Sequence, residues 1–261
     1  MGPEQLAQVG LRLEVDGVTA TVTLDRPASR NSQTPAMWRA LATIGAGLSD
    51  DVRVVVVRGE GPAFSAGLDR SMLDPGTSGE ETVAGLLAHD DAAISATIDD
   101  YQRGFTWLRD ARFVSVAAVQ GYAIGAGFQL ALACDLRVLA DDARLCMKES
   151  ALGLVPDLTG TKPLVESVGY ARALEICATA RMVGAAEAVE IGLALTAVPL
   201  AELDGTVADL AAALTAAPVG AVRETKTLLL GAAQRDLDTQ RRLEREAQIR
   251  RFRQLAALQG T

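Results

Sequence analysis

FVSVAAVQGYAIGAGFQLALACDLRVLA, residues 113 to 140, decides the fold of this chain. It opens on a run of small and β-branched apolar residues too short for a buried helix, which reads as a strand covered on both faces. Gly121, Gly125 and Gly127 then crowd into seven residues, and an almost wholly apolar stretch follows that fits a short buried helix. DLRVLA and ARLCMK return as strands. Alternation of this kind is the mark of an α/β core. One residue resists it. Gln129 places an amide inside the apolar run, where a polar side chain needs a partner.

The same alternation extends outward. Leu11–Val15 and Val18–Leu24 flank Asp16-Gly17 and read as a hairpin, so the chain is expected to open with β-structure. TPAMWRALATIGAGL, 34 to 48, has Thr34 and Pro35 at the cap and first turn of a helix. VRVVVVRG, 52 to 59, is a second buried strand. Residues 60 to 90 are rich in Gly, Ser, Asp and Pro and read as a loop region, followed by a helix over about 92 to 108. From Gly160 onward helices dominate, over about 161–168, 170–180, 185–191, 201–216 and 219–257. The expected division is an α/β core over 1–195 and a helical region over 196–261, with no internal repeat.

Composition removes several classes of function. The chain has 261 residues, 49% of them hydrophobic, enough for a large core. A net charge of −8 with no basic block argues against nucleic acid or an anionic membrane as partner. No apolar run approaches the length of a membrane span, and the N-terminus lacks the basic start and apolar run of a secretory signal. Three cysteines without a CxxC pair read as reduced thiols of a cytoplasmic protein, and one histidine, His89, leaves little for a metal site. No metal and no cofactor are expected.

The glycine turn carries the chemistry. The first N–H groups of a helix lack partners inside it and sit at its positive pole, so they suit an oxygen gaining negative charge. The N–H of Ala126, just after Gly125, is one such donor. AFSAGLDRSML, 63 to 73, turns at Gly67 and offers the N–H of Leu68 as a second. Each turn has a plainer explanation in tight packing. A dinucleotide fingerprint fails where Leu130 replaces the third glycine. AFSAG lacks the first glycine of a nucleophile elbow, and His89 lies in an acidic, solvent-facing segment.

RPASRNS (26–32), FSAGLD (64–69), the run 116–145 and KESALGLVPDLTGT (148–161) together resemble the crotonase superfamily, the enoyl-CoA hydratases and isomerases, along nearly the whole chain. The resemblance implies a spiral of ββα units, a helical C-terminal region that builds a homotrimer or a dimer of trimers, and an acyl-CoA thioester as substrate, with coenzyme A entering as part of it. It places the oxyanion-holding amides at Leu68 and Ala126, in agreement with the choice made from the helix start. It also implies that Ala28, Arg30, Ala66, Gly67, Asp69, Arg70, Tyr122 and Gly125 line the path of the CoA and thioester.

Hydratases of this family use two glutamates, and here the first position holds Gln129 and the second Glu149. An amide binds water or substrate but does not exchange protons at neutral pH as a carboxylate does. Glu149 is therefore the expected proton-transfer residue. Asp157 is the second acid, at a spacing that resembles dienoyl-CoA isomerases, although a loop residue there also suits a helix cap. Isomerisation is expected at least as strongly as hydration. The other possibility is a homologue that binds acyl-CoA without turning it over.

Overall fold

The computed structural model describes residues 1 to 259 apart from 75, 78 and 80, and for 258 and 259 the backbone only. The chain begins with a short helix, α1 (Pro3–Gln8), and not with β-structure as expected. Strands β1 (Leu11–Asp16) and β2 (Thr19–Leu24) follow as the expected hairpin. Helix α2 (Pro35–Gly47) is capped by the Thr34 hydroxyl, which accepts from the Met37 N–H at 3.3 Å. Then come β3 (Val54–Gly59), a single helical turn α3 (Val83–Leu86) and α4 (Asp91–Thr106). The quoted stretch supplies β4 (Val114–Val119), β5 (Tyr122–Ile124), α5 (Ala126–Ala133) and β6 (Leu136–Ala140). After β7 (Arg144–Cys146) lie α6 (Thr161–Val168), α7 (Tyr170–Thr179), β8 (Val183–Gly184), α8 (Ala185–Glu190) and β9 (Thr196–Val198). Helices α9 (Leu203–Ala216), α10 (Val219–Leu230) and α11 (Leu237–Gln259) close the chain.

Six strands form one sheet in the order β1-β2-β3-β4-β6-β9, parallel except for the hairpin. Three form a second, β5-β7-β8. The chain repeatedly leaves a main-sheet strand, adds a short strand to the second layer and turns into a helix: β4, β5 and α5 in succession. Ser65 joins the second layer by an isolated bridge to Ala123, and Leu68 bridges Gln33.

Strand periodicity separates the two faces of the main sheet. Val55, Val57, Ala117, Val119 and Leu139 enter the larger core with α2, α4 and α5. Val54, Val56, Val116, Ala118, Val138 and Ala140 pack against Leu203, Val207 and Ala211 of α9. Packing on this face crosses the expected boundary at 195. β9 pairs with β6 from Thr196 to Val198, and α9 covers the second face of the sheet. The helix expected over 219–257 is corrected to two helices. Gly231 ends the first, and the Asp236 carboxylate accepts from the Thr239 N–H at 2.7 Å to cap the next.

Candidate active site

Gly125 gives the site its shape. Its φ of +50° and ψ of −117° are open to glycine and strained for other residues, and they let the chain pass from β5 straight into α5. A Cβ at Gly125 would stand 3.3 Å from Glu149 Oε1, so the carboxyl group lies against the turn that presents the Ala126 N–H. Gly67, at φ +88°, comes in from the other side. A Cβ there would meet the Ile124 carbonyl oxygen at 2.4 Å and stand 3.5 Å from the Ala126 nitrogen. The two glycine turns are thus in contact. Among the described residues neither the Leu68 nor the Ala126 N–H has a hydrogen-bond partner.

Gln129 is 1% exposed, and its surroundings explain the amide. Its oxygen accepts from the Leu158 N–H at 2.9 Å and the Gly160 N–H at 3.2 Å, while its Nε2–H donates to Glu149 Oε1 at 2.7 Å. Those two main-chain donors fix which end of the amide faces Glu149. Gly160 is required at this contact, since a Cβ would come within 2.6 Å of Gln129 Cγ. The amide thus finds the backbone partners a buried polar group needs, and its remaining bond goes to the Glu149 carboxyl.

Glu149 opens a 3₁₀ turn, Glu149–Leu152, just beyond β7. It is 8% exposed, and its Oε2 is buried without a hydrogen-bond partner among the described residues. Burial pushes its carboxyl above the ordinary glutamate range and the charge of Asp157 adds to this, while nearby main-chain amides and the Gln129 bond oppose it. The Asp157 carboxyl is likewise raised by the protein crowded around it, against an opposing main-chain hydrogen bond. Asp157 is not a helix cap: Gly160 occupies that position in front of α6 without a side-chain cap bond. Gln102 of α4 donates to the Asp157 carbonyl at 2.6 Å and ties this loop to the helix beside it.

The remaining expected residues divide. Ala28, Arg30, Arg70 and Tyr122 are exposed, and Ala66 is half-buried; its N–H donates to the Arg30 carbonyl at 2.8 Å, joining the segments 26–31 and 66–70. Asp69 is committed within the protein. It accepts from Arg26 at 3.1 Å, the Ser32 hydroxyl at 3.0 Å and the Ser71 hydroxyl at 2.9 Å, which hold its carboxyl below the usual range against partial burial. Ser65 is fully buried and hydrogen-bonded, unlike an exposed nucleophile. Gly160, Gln102 and Gln33 carry no local pattern that marks them as part of this region.

Comparison with known proteins shows the family. The family model for enoyl-CoA hydratase/isomerase matches residues 14–260. A candidate enoyl-CoA hydratase from Thermobifida fusca, solved in complex with CoA, is 53% identical over 98% of each chain with a TM-score of 0.93. A structure of a T. fusca candidate hydratase with acetoacetyl-CoA gives 54% identity, 97% and 98% coverage and a TM-score of 0.92. Among relatives, a protein named probable enoyl-CoA hydratase from Rhizobium meliloti is 32% identical across 70% of this chain and 66% of its own length. A peroxisomal Δ(3,5)-Δ(2,4)-dienoyl-CoA isomerase from Arabidopsis thaliana is 29% identical across 84% of this chain and 80% of its own. The chain has the crotonase fold, belongs to the enoyl-CoA hydratase/isomerase family and is an enzyme of hydratase/isomerase type.

Proposed function

We propose that the protein moves a proton at the carbon next to the carbonyl of an acyl-CoA thioester. The N–H groups of Leu68 and Ala126 hold the carbonyl oxygen as it becomes an enolate, a pair of aimed donors that contribute about 3 kcal/mol each in a dry site. Glu149 takes and returns the proton through Oε2, Gln129 holds the other oxygen, and Asp157 is the second proton carrier. Support for an acyl-CoA ligand comes from the CoA and acetoacetyl-CoA bound to the T. fusca neighbours. The thioester would reach the site along Ala28, Arg30, Ala66, Gly67, Arg70, Tyr122 and Gly125, with Asp69 bracing that loop. No cofactor besides the CoA of the substrate is called for.

One observation favours isomerisation at least as strongly as hydration. The Gln129 oxygen has both lone pairs engaged by Leu158 and Gly160, and its nitrogen carries no basic lone pair, so position 129 does not activate water. The acids left are Glu149 and Asp157, which would carry a proton from one carbon to another. The test is solvent deuterium exchange into the α-position of a bound acyl-CoA, read by NMR, in the parent protein and in Glu149→Gln. Exchange in the parent and its loss in the variant, with acyl-CoA affinity kept, is the expected result. Affinity without exchange in the parent would make the protein a binder only. Assembly with further copies through the C-terminal helices, where Leu237, Ile249, Phe252 and Leu255 are exposed, belongs to the same proposal.

A further inference from the structure

The Leu68 N–H is useful only while its peptide faces Ala126, and the hydrogen bonds around it define what keeps it there. Ser65 pairs with β5 in the ordinary way, its N–H donating to the Tyr122 carbonyl and its C=O accepting from Ile124. Ala66 then turns its N–H to the opposite side, onto the Arg30 carbonyl. In a regular strand Gly67 would face β5 again. Its left-handed φ breaks that phase. The Gly67 carbonyl accepts from the Gln33 N–H at 2.7 Å, and the Asp69 N–H donates to the Gln33 carbonyl at 2.8 Å. Both neighbours of the Leu68 amide are thereby tied to Gln33, which leaves the Leu68 N–H directed away from Gln33, to the side of Ile124 and Ala126.

Side chains lock this arrangement from below. Trp38 Nε1, which can only donate, bonds the Gln33 amide oxygen at 2.8 Å and so fixes the orientation of the amide. The Gln33 Nε2–H donates to Ser65 Oγ at 3.0 Å, and that hydroxyl accepts also from the Gly67 N–H at 3.2 Å while donating to the Asn31 carbonyl at 2.8 Å. Gln33 and Ser65 are both fully buried. Ser65 also touches the second donor turn: a Cβ at Gly127 would fall 2.6 Å from its carbonyl oxygen and 2.9 Å from Oγ. One hydroxyl is therefore packed against the helix that carries Ala126 and bonded to the amide just before Leu68.

The geometry points to Gln33 and Ser65 as positioning residues for the thioester clamp, setting the Leu68 N–H against the Ala126 N–H through the chain Trp38, Gln33, Ser65, Gly67. This rests on the acyl-CoA chemistry proposed above. Neither side chain is placed to touch substrate. Their contribution is alignment, to which an enzyme is sensitive because a displacement of about 1 Å can cost on the order of 100-fold in rate.

The experiment compares the parent with Ser65→Ala, Gln33→Leu and Trp38→Phe, the last touching only the outer end of the chain of bonds. Bound acetoacetyl-CoA reports on the clamp directly, since donors aimed at its thioester oxygen favour the enolate and its near-ultraviolet band. The expected result is a weaker enolate band in Ser65→Ala and Gln33→Leu, a smaller loss in Trp38→Phe, and a fall in kcat of roughly 10- to 100-fold with KM and CoA affinity little changed. Circular dichroism and thermal midpoints identify variants that fold; should the first two fail to, Trp38→Phe alone decides. A parent-like band and kcat in the folded variants would overturn the inference. Absence of an enolate band in the parent would instead defeat the proposed function, so the two failures are distinguishable.

Discussion

A carboxyl group with one oxygen held by an amide and the other buried without a partner among the described residues is stored in an unfavourable state, and Glu149 bears that cost. Its folded-state pKa lies above the unfolded value near 4.5, so the native protein holds its proton more tightly than the unfolded chain does. The stability this contributes is present below about 4.5 and is lost as pH rises through the raised pKa. Glu149→Gln, which cannot ionise, is therefore expected to melt higher than the parent at neutral pH, with the difference shrinking toward pH 4. Thermal midpoints across that range measure it, and a parent that melts higher at pH 7 contradicts the assignment. The same displacement puts the rising limb of kcat/KM above the ordinary glutamate range, because the base must be ionised to accept a proton. Gln129 was legible in the sequence as an anomaly. Its three partners were not, since two of them are main-chain amides about thirty residues away on a loop whose path no local pattern fixes.

At the scale of elements, the site is held where α5, the loop 157–160 and the 3₁₀ turn at Glu149 meet, and Gln129 is their shared contact. Gly160 has an ordinary backbone conformation, so replacing it by alanine tests space alone. The new Cβ would collide with Gln129 Cγ at 2.6 Å and move the amide. Because the Gln129 bond favours the ionised form of Glu149, weakening it raises the carboxyl further. Gly160→Ala is expected to shift the rising limb of the kcat/KM profile to higher pH as well as lowering kcat; an unmoved limb would count against coupling through Gln129. The longer strands of the main sheet and the two glycine turns were readable because they depend on local φ, β-branching and helix ends. The three-residue strand β9 was too short to leave a period, and the break between α10 and α11 occurs at Gly231 inside a helical pattern that continues on either side.

Taken whole, the molecule ties α10 to the α/β core through a buried ammonium group, beside which Arg223 donates to the Arg112 carbonyl at 2.7 Å. Lys226 of α10 is 8% exposed, and its Nζ donates to the carbonyls of Asp110 and Phe113 at 2.6 and 2.7 Å and to Asp135 at 2.7 Å. The same Asp135 oxygen accepts from the N–H and hydroxyl of Ser115 at 2.8 and 3.0 Å, so α10, the start of β4 and the end of α5 converge on it. Burial lowers the pKa of Lys226, and Asp135 opposes that fall. Truncating one member of a buried pair strands the other, at a cost of roughly 3 to 5 kcal/mol. Lys226→Ala is therefore expected to lower the denaturation midpoint by that amount of free energy, while a surface exchange such as Arg241→Ala, in an exposed ion pair, changes it by under about 1 kcal/mol. Urea unfolding of both variants compares them. The loss should fall on stability and leave the pH dependence of the folded enzyme unchanged, because Lys226 has no bond to Gln129, Glu149 or the clamp. A shifted pH profile in folded Lys226→Ala would mean that the terminal helices help set the site, a coupling these contacts do not provide.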